Sequence, residues 1–319
     1  MKTTPLASII LRAFLLTLLL GLSASLALGA AAQQVESSVT VESFPVGETP
    51  YGLTFDGANI WVANYHMPEV TELRASDGAP LGTFPVGGSP AAITFDGANI
   101  WTADAGTATT TKLRASDGAH LGTFPVGNFP NGIAYDGTNI WVSNTNDNTV
   151  TELRASDGIV LGTFLAGATP WAVTFDGANI WIGSGYGLNV NKVRPSDGKL
   201  IGNVRTSGIE HNGFAFDGSN MWIGSLSSQT VTAVRARDGV SQGVFQIGGG
   251  PWGVAFDGEN IWTANFAGNS VTVLRAKDGA RLNHITVEAN PTGIIYDGSS
   301  IWVACSASNT VNKITRAAQ

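Results

Sequence analysis

The sequence repeats one unit of about forty residues seven times, and this repeat limits the possible folds more than any other feature. Each copy carries the triplet Phe/Tyr-Asp-Gly, with a Trp five residues after the Asp. Successive copies are 40 residues apart, except for one step of 41. A fixed period of this length indicates a repeat architecture in which each unit packs against its neighbours. The repeated aspartates are Asp56, Asp96, Asp136, Asp176, Asp217, Asp257 and Asp297.

Each copy predicts four short β-strands. In the first copy we expect strands over 52–55, 59–63, 70–75 and 81–86, with Asp-Gly turns joining the first to the second and the third to the fourth. Asp-Gly between apolar runs favours a hairpin, because Gly adopts positive φ at little cost. The apolar residues have no 3.6-residue period, which a helical repeat would need. The third strand is apolar on both faces, as expected for a sheet packed between two others.

The two ends of the chain complement each other. The last copy, 301–316, has the second and third strands but no fourth, and segment 41–47 near the start matches the fourth strand of the first copy. Pairing of the two ends would close a ring and remove exposed sheet edges. We therefore predict an all-β, seven-bladed β-propeller of four-stranded antiparallel blades, closed by the N-terminal strand. An open β-solenoid is the alternative, but it gives no reason for the ends to match.

The first 32 residues have the pattern of a secretory signal peptide. Lys2 and Arg12 precede or border an apolar run over 13–22, and small residues follow up to Ala30–Ala32. A membrane anchor is the alternative, but the run is shorter than the roughly 20 residues that a span needs. We expect a signal peptide over 1–32, a single propeller domain over 33–319, no membrane span in the mature chain, and a secreted protein in the periplasm, at the cell surface or outside the cell.

Charge and cysteine content limit the partners and the redox chemistry. Without Lys2 and Arg12 the formal net charge falls from −7 to −9, which does not favour binding to nucleic acid. Cys305 is the only cysteine, so no disulfide forms within the chain. We expect an inert, partly buried thiol rather than a reactive one. We also expect a monomer.

Two other repeated residues are best interpreted as structural. The recurring Trp is expected to pack between blades. The recurring Arg of the third strand is expected to pair with a turn carboxylate. These arginines are Arg74, Arg114, Arg154, Arg194, Arg235 and Arg275.

The repeat Pro-x-Gly-x-x-Phe-Asp-Gly-x-Asn-Ile-Trp-Val-Ala-Asn, followed by Thr-Val-Thr-x-Leu-Arg-x-x-Asp-Gly and Leu-Gly-Thr-Phe-Pro-Val-Gly, resembles the bacterial YVTN β-propeller repeats of YncE-like proteins. The resemblance covers about residues 38–316, and Trp-Val-Ala-Asn takes the place of the namesake tetrapeptide. At the level of the fold the chain is also similar to the virginiamycin B lyase family, which implies a metal-dependent lyase with His and Glu near the channel. The Gly-His and Trp-Asp pairs of WD40 repeats are absent from the sequence.

Binding residues are expected on the face opposite the Asp-Gly turns, where the copies differ. We place the variable position before the first strand in the loop at the channel mouth. Three aromatic residues and two Asn there would suit a sugar or another flat ligand, although variable loop packing is an alternative. The predicted ligand-binding residues are Tyr51, Asn131, Trp171, Asn212 and Trp252.

A second set of polar residues follows the second strand. These side chains would hold waters or one cation, or they would bond the loop backbone. The set comprises Asn64, Asp104, Asn144, Ser184, Ser225, Asn265 and Cys305.

One irregular copy supplies the candidates for catalysis. Glu210 and His211 follow the single extra residue, and His211 stands where other copies have Pro. A general acid/base role for His211, with Glu210 beside it, competes with ordinary loop variation. No His or Cys spacing predicts a metal site, so we predict no cofactor.

These observations leave two classes of function open. We favour a non-catalytic binding or scaffold protein that presents the channel mouth to a protein or carbohydrate. The alternative is a metal-assisted lyase or hydrolase of the virginiamycin B lyase type, for which a divalent metal would be needed.

Overall fold

The computed structural model describes residues 39–316, which form seven four-stranded antiparallel sheets arranged as the blades of a propeller. The strands of a blade are named A to D from the central channel outwards, and blades 1 to 6 take the chain order A–B–C–D, while the D strand of blade 7 comes from the start of the described chain. This confirms the predicted fold, including the number of blades. Strand A begins two residues earlier than predicted, at Pro50 in blade 1.

The strands of blades 1 to 4 have the following bounds. Blade 1 contains β2 (Pro50–Phe55), β3 (Asn59–Asn64), β4 (Glu69–Arg74) and β5 (Pro80–Pro85). Blade 2 contains β6 (Pro90–Phe95), β7 (Asn99–Asp104), β8 (Thr109–Arg114) and β9 (His120–Pro125). Blade 3 contains β10 (Pro130–Tyr135), β11 (Asn139–Asn144), β12 (Thr149–Arg154) and β13 (Val160–Leu165). Blade 4 contains β14 (Pro170–Phe175), β15 (Ile180–Ser184), β16 (Asn189–Arg194) and β17 (Lys199–Arg205).

Blades 5 to 7 follow the same order. Blade 5 contains β18 (Phe214–Phe216), β19 (Asn220–Ser225), β20 (Thr230–Arg235) and β21 (Ser241–Gln246). Blade 6 contains β22 (Pro251–Phe256), β23 (Asn260–Asn265), β24 (Ser270–Arg275) and β25 (Arg281–Thr286). Blade 7 contains β26 (Pro291–Tyr296), β27 (Ile301–Cys305), β28 (Thr310–Arg316) and β1 (Val39–Pro45). Short 3₁₀ turns cover Thr145–Asp147 and Phe266–Gly268.

The ring is closed by the N-terminal strand, as predicted. Strand β1 pairs antiparallel with β28, with Val39 opposite Arg316 and Pro45 opposite Thr310. The predicted signal peptide lies outside the described residues. Within 39–316 there is no helix of the length and apolar character that a membrane span requires.

The repeated Asp fixes the A–B turn and the Trp at the same time. In blade 1, Asp56 Oδ1 accepts hydrogen bonds from the backbone nitrogens of Ala58 and Asn59, at 2.8 and 2.7 Å. Its other oxygen accepts from Trp61 Nε1 at 2.8 Å. The same indole bond occurs in all seven blades. The Trp is buried in each, so its one polar atom is satisfied inside the core.

Neighbouring blades are joined through an aromatic contact that the sequence pattern did not reveal. The Phe84 ring of strand D lies 5.2 Å from Trp61 of its own blade. It also covers Gly118 in the C–D turn of blade 2, where a Cβ would overlap the ring. At the closure, Phe44 of β1 makes the same contacts with Trp302 of blade 7 and Gly78 of blade 1. The N-terminal strand therefore supplies a joint between two blades as well as a fourth strand.

The predicted Arg–carboxylate pairs are present. Arg74 Nη1 lies 3.0 Å from Asp77 Oδ2, and both side chains are about half exposed. Pairs of this kind contribute about 0–1 kcal/mol each. The other pairs are Arg114–Asp117, Arg154–Asp157, Arg194–Asp197, Arg235–Asp238 and Arg275–Asp278.

Candidate functional site

The predicted ligand-binding residues lie around the central channel, but most of them are on strands and not in loops. Tyr51, Asn131, Trp171 and Trp252 are each the second residue of a strand A. In blade 5 the strand begins later, at Phe214, so Asn212 alone precedes it. All five line one cavity of about 220 Å³. The placement in the D–A loop was therefore wrong for four of the five, because strand A extends further towards the mouth than the turn residues suggested.

Three aromatic side chains from distant blades form one continuous wall in this cavity. The Trp252 ring of blade 6 lies 5.4 Å from Tyr51 of blade 1, edge to face at 73°. It also lies 6.1 Å from Trp171 of blade 4. These separations are within the range of favourable aromatic contacts. We call Tyr51, Trp171 and Trp252 the aromatic wall.

Two further rings extend the wall from the B–C loops. Tyr65 stacks on Tyr51 at 5.1 Å, and Phe266 lies 5.1 Å from Trp252. The sequence analysis did not select them as site residues. Both occupy the position directly after strand B, where other blades have small or aliphatic residues. An aromatic residue at this position was the feature of the sequence that could have identified them.

The side of the cavity facing away from the wall is lined by smaller groups. Ala91 of blade 2 and Asn131 of blade 3 line it there. Thr292 of blade 7 is buried, and its hydroxyl donates a hydrogen bond to Pro50 O at 3.1 Å. Its side chain therefore faces the neighbouring strand of blade 1. The mouth therefore has an aromatic side, and a side formed by blades 2 and 3 where the lining side chains are smaller.

Several polar atoms of the cavity have no partner within 39–316. Asn212 Nδ2 is buried and unpaired. The indole nitrogens of Trp171 and Trp252 also lack an acceptor in this part of the chain, whereas all seven blade tryptophans donate to an Asp, as Trp181 and Trp262 do. Burial raises the pKa of Tyr51, so its hydroxyl remains a hydrogen-bond donor at neutral pH. Asn212 Nδ2 is enclosed by protein atoms, so the donors that a ligand in the cavity would bond are the two indole nitrogens and the Tyr51 hydroxyl.

Among residues 39–316, no Asp, Glu, Lys, Arg or His lines the cavity. Recognition there depends on aromatic faces, amides, indole N–H groups and one phenol. Such a lining suits an uncharged ligand with apolar faces and oxygen atoms at its edges.

His211 and Glu210 do not line this cavity. The His211 side chain is fully buried between blades 4 and 5, with Nδ1 3.1 Å from Ser184 O and Nε2 2.5 Å from Thr206 Oγ1. Burial lowers the His211 pKa to about 4, so the ring is neutral at physiological pH. Glu210 has φ +62° and donates its backbone N–H to Gly185 O at 3.1 Å. Both residues therefore contribute to the joint between two blades.

The second predicted set of polar residues lies inside the blades. Asn64 Nδ2 donates to Thr71 Oγ1 on strand C at 2.8 Å, and Asn144 and Asn265 do the same to Thr151 and Thr272. All seven members are buried on strand B, and none of them lines the channel cavity. Their partners are mainly on the adjacent strand, with loop backbone as a second partner in some blades, such as Gly127 N bonding Asn144 Oδ1.

Cys305 replaces Asn at this position for a packing reason. In blade 1, a Cβ on Gly47 would lie only 2.5 Å from Asn64 Nδ2. In the last copy Glu288 takes the place of that Gly, and the smaller Cys305 takes the place of Asn. The thiol is fully buried, and burial raises its pKa to about 12. It is therefore protonated and inaccessible, in agreement with an inert thiol.

The other histidines are separate from each other. His66 Nδ1 lies 2.8 Å from Thr49 Oγ1 in a loop of blade 1, while His120 and His284 lie on outer strands. Between Val39 and Arg316, no three His, Cys, Asp or Glu side chains are grouped in a way that could hold a metal ion.

Comparisons with known proteins identify the fold. No family model and no curated protein matches the sequence. The chain is similar to a streptogramin B lyase structure, with 18% identity over 89% of this chain and 100% of that chain and a TM-score of 0.76. It is similar to a catalytically inactive variant of virginiamycin B lyase from Staphylococcus aureus, solved with quinupristin, with 18% identity over 87% and 99% and a TM-score of 0.75.

A third similar structure is that of the RRP9 WD40 repeats, with 12% identity over 86% of this chain and 97% of that chain and a TM-score of 0.78. Lyases and WD40 repeats thus share this architecture. At such low identities the likeness establishes a β-propeller and does not extend to activity.

Proposed function

We propose that this protein is a secreted, non-catalytic binding protein that holds an uncharged carbohydrate at the channel mouth. The observation that carries the proposal is the difference between its two kinds of tryptophan. Each blade Trp is buried and bonded to an Asp, whereas Trp171 and Trp252 are only partly buried in the cavity, and their indole N–H groups have no acceptor within 39–316. Partly buried, unbonded Trp side chains in a concave, uncharged site are typical of ligand contact.

The chemistry of the cavity fits a sugar ring. The apolar face of a sugar packs on an aromatic ring, and its hydroxyl oxygens accept hydrogen bonds from indole and amide N–H groups. The indole nitrogens of Trp171 and Trp252 have no acceptor within 39–316, and Asn212 and Asn131 add amide groups to the lining. An uncharged lining gives no reason to select a charged ligand.

The same cavity gives little support to catalysis. Proton transfer near neutral pH needs a group with a suitable pKa, and among the described residues Tyr51 is the only titratable side chain that lines the cavity. Burial raises its pKa further from neutrality. The lyase alternative needs His and Glu at the channel, and the two candidates, Glu210 and His211, lie elsewhere.

The remaining sequence predictions support the same proposal. The signal-peptide pattern over 1–32 supports export, and the repeat residues support membership of the YVTN-type propellers. We propose that the protein acts as a monomer without a cofactor. A protein that inserts a loop into the same mouth is the alternative ligand.

A glycan panel tests the proposal. We expect one or more neutral glycans to raise the melting temperature and to bind in calorimetry, and we expect Trp252→Ala and Trp171→Ala each to weaken binding at least about tenfold, because they remove the stacking surface. Leu165→Ala is the control, since Leu165 is 76% exposed on an outer strand remote from the cavity. Equal affinity of the Trp variants and the wild type would refute this site. Stabilisation by a divalent metal and by no glycan would favour the lyase alternative.

A further inference from the structure

A second cleft opens on the mouth face between the loops of blades 2 and 3. Its volume is about 560 Å³, and Thr107, Asn128, Phe129, Asn146 and Asp147 are among the residues that line it. Unlike the channel cavity, it contains a carboxylate. None of its residues was selected from the sequence.

Phe129 is the unusual member of this cleft. It is 36% exposed, and its backbone has φ +56°, which is uncommon for a bulky residue. Every other copy has a non-aromatic residue at the aligned position, namely Thr49, Ser89, Thr169, Glu210, Gly250 and Asn290. An aromatic face is therefore presented to solvent at a position where the repeat does not require one.

The polar side of the cleft is held rigidly. Asp147 Oδ2 accepts a hydrogen bond from Asn128 N at 2.6 Å, and Oδ1 accepts from Asn128 Nδ2 at 2.8 Å. These bonds lower the pKa of Asp147, so the carboxylate is ionised at neutral pH. Phe129 O in turn accepts from Thr145 N at 3.1 Å. The aromatic face and the carboxylate thus belong to one cross-linked pair of loops.

The cleft adjoins the side of the channel mouth that blades 2 and 3 form. Phe129 precedes Asn131 by two residues, so their Cα atoms are at most about 7.6 Å apart. Asn131 lines the channel cavity together with Ala91, on the side away from the aromatic wall. A chain-like ligand that leaves the mouth on this side would reach Phe129 next.

We propose that the cleft is an outer subsite for the same ligand, which is therefore an oligosaccharide chain and not a single sugar. One unit packs on the aromatic wall, and a later unit packs on Phe129 with its hydroxyls bonded to the free lone pairs of Asp147 and to Asn146. Charge-assisted hydrogen bonds from hydroxyls to a fixed carboxylate are stronger than neutral ones. This inference rests on the proposed function and extends it to the length of the ligand.

A length series tests the outer subsite. Calorimetry with cello-oligosaccharides and chito-oligosaccharides, from the monosaccharide to the hexasaccharide, should show an affinity increase of about tenfold or more once the chain reaches the cleft. Phe129→Ser, which introduces the residue of copy 2, and Asp147→Asn should abolish this increase and leave the affinity for the shortest binding sugar unchanged. Leu121→Ser is the matched control, since Leu121 is an apolar residue 42% exposed on an outer strand.

The possible results separate this inference from the proposed function. Binding without dependence on length, or a length effect that persists in Phe129→Ser, would overturn the outer subsite and leave the channel site intact. If no member of either series binds the wild type, and none of the glycans in the panel does, then the proposed function fails and the subsite fails with it. A length effect lost only in the cleft variants would support both.

Discussion

The seven copies of the repeat are nearly identical on one face of this propeller and differ from each other on the opposite face. On the turn face, formed by the A–B and C–D turns, each A–B turn Asp binds its Trp through the same hydrogen bond in all seven blades. On the mouth face, the residue that lines the channel changes from blade to blade. The turn Asp and its Trp stabilise the core of every blade, whereas the second residue of strand A lines the channel and can differ from blade to blade. The uniform face therefore maintains the ring, and the variable face is free to bind.

Tryptophan shows the difference most directly, because it occurs on both faces with the same chemistry. Trp262 and Trp252 belong to the same blade. Trp262 is 2% exposed and donates to Asp257 at 2.7 Å, whereas Trp252 is half-buried and has no acceptor within 39–316. Hydrogen-bond satisfaction, rather than residue type, separates the structural Trp from the candidate binding Trp.

Removal of the N-terminal strand should have the largest effect on stability. A chain beginning after Pro45 loses all pairing with β28 and the Phe44 joint between blades 7 and 1. We expect the melting temperature to fall by at least about 10 °C, as judged by circular dichroism, because an open edge and a buried Trp302 become exposed. A chain beginning at Val39 is the control and should retain the closure. Equal melting temperatures for the two chains would contradict closure by this strand.

The next largest effect should be the difference in stability between variants of the two tryptophans of blade 6. Trp262→Ala removes a buried ring from the joint between blades and one of the hydrogen bonds to Asp257, so we expect a loss of about 4 kcal/mol in the free energy of unfolding. Trp252→Ala removes a half-buried ring at the channel and should cost about 1 kcal/mol. Denaturant unfolding of both variants measures the difference. Similar losses would mean that Trp252 is as structural as Trp262.

His211 should give a smaller, pH-dependent effect, because it is a mouth-face residue with a structural environment. Its pKa is about 4 when folded and about 6.5 when unfolded, so the unfolded chain binds the proton more tightly. The contribution of His211 to stability is therefore complete above about pH 6.5 and is lost as the pH falls towards 4. The full loss is about 3 kcal/mol.

The measurement is the difference in unfolding free energy between wild type and His211→Gln across this pH range. The glutamine variant retains a donor and an acceptor but does not titrate, so its stability should fall less on acidification. Parallel pH profiles for the two proteins would mean that folding does not lower the His211 pKa. An acid/base role for His211 would then be open again.

Contacts within one copy were predictable from the sequence, and contacts between copies mostly were not. The strands, the Asp-Gly turns and the Arg74–Asp77 type of pair repeat with the sequence, so seven copies reinforced each prediction. The overlap between Phe84 and Gly118 involves two blades, and no spacing within one repeat reveals it. The site was predicted in part for the same reason. Alignment of the copies showed that Tyr51, Trp171 and Trp252 are aromatic at a position that varies between copies. It did not show that the three rings are in contact.

The sequence by itself determined the number of blades, the four-strand unit and the closure by the N-terminal strand, because these depend on period and on matching ends. Only the tertiary structure decided which departures share a site. Tyr51, Trp171 and Trp252 come from blades 1, 4 and 6 and meet only because the ring brings their inner strands to one narrow channel. It also decided that His211 is buried and neutral, since burial depends on the packing of two neighbouring blades.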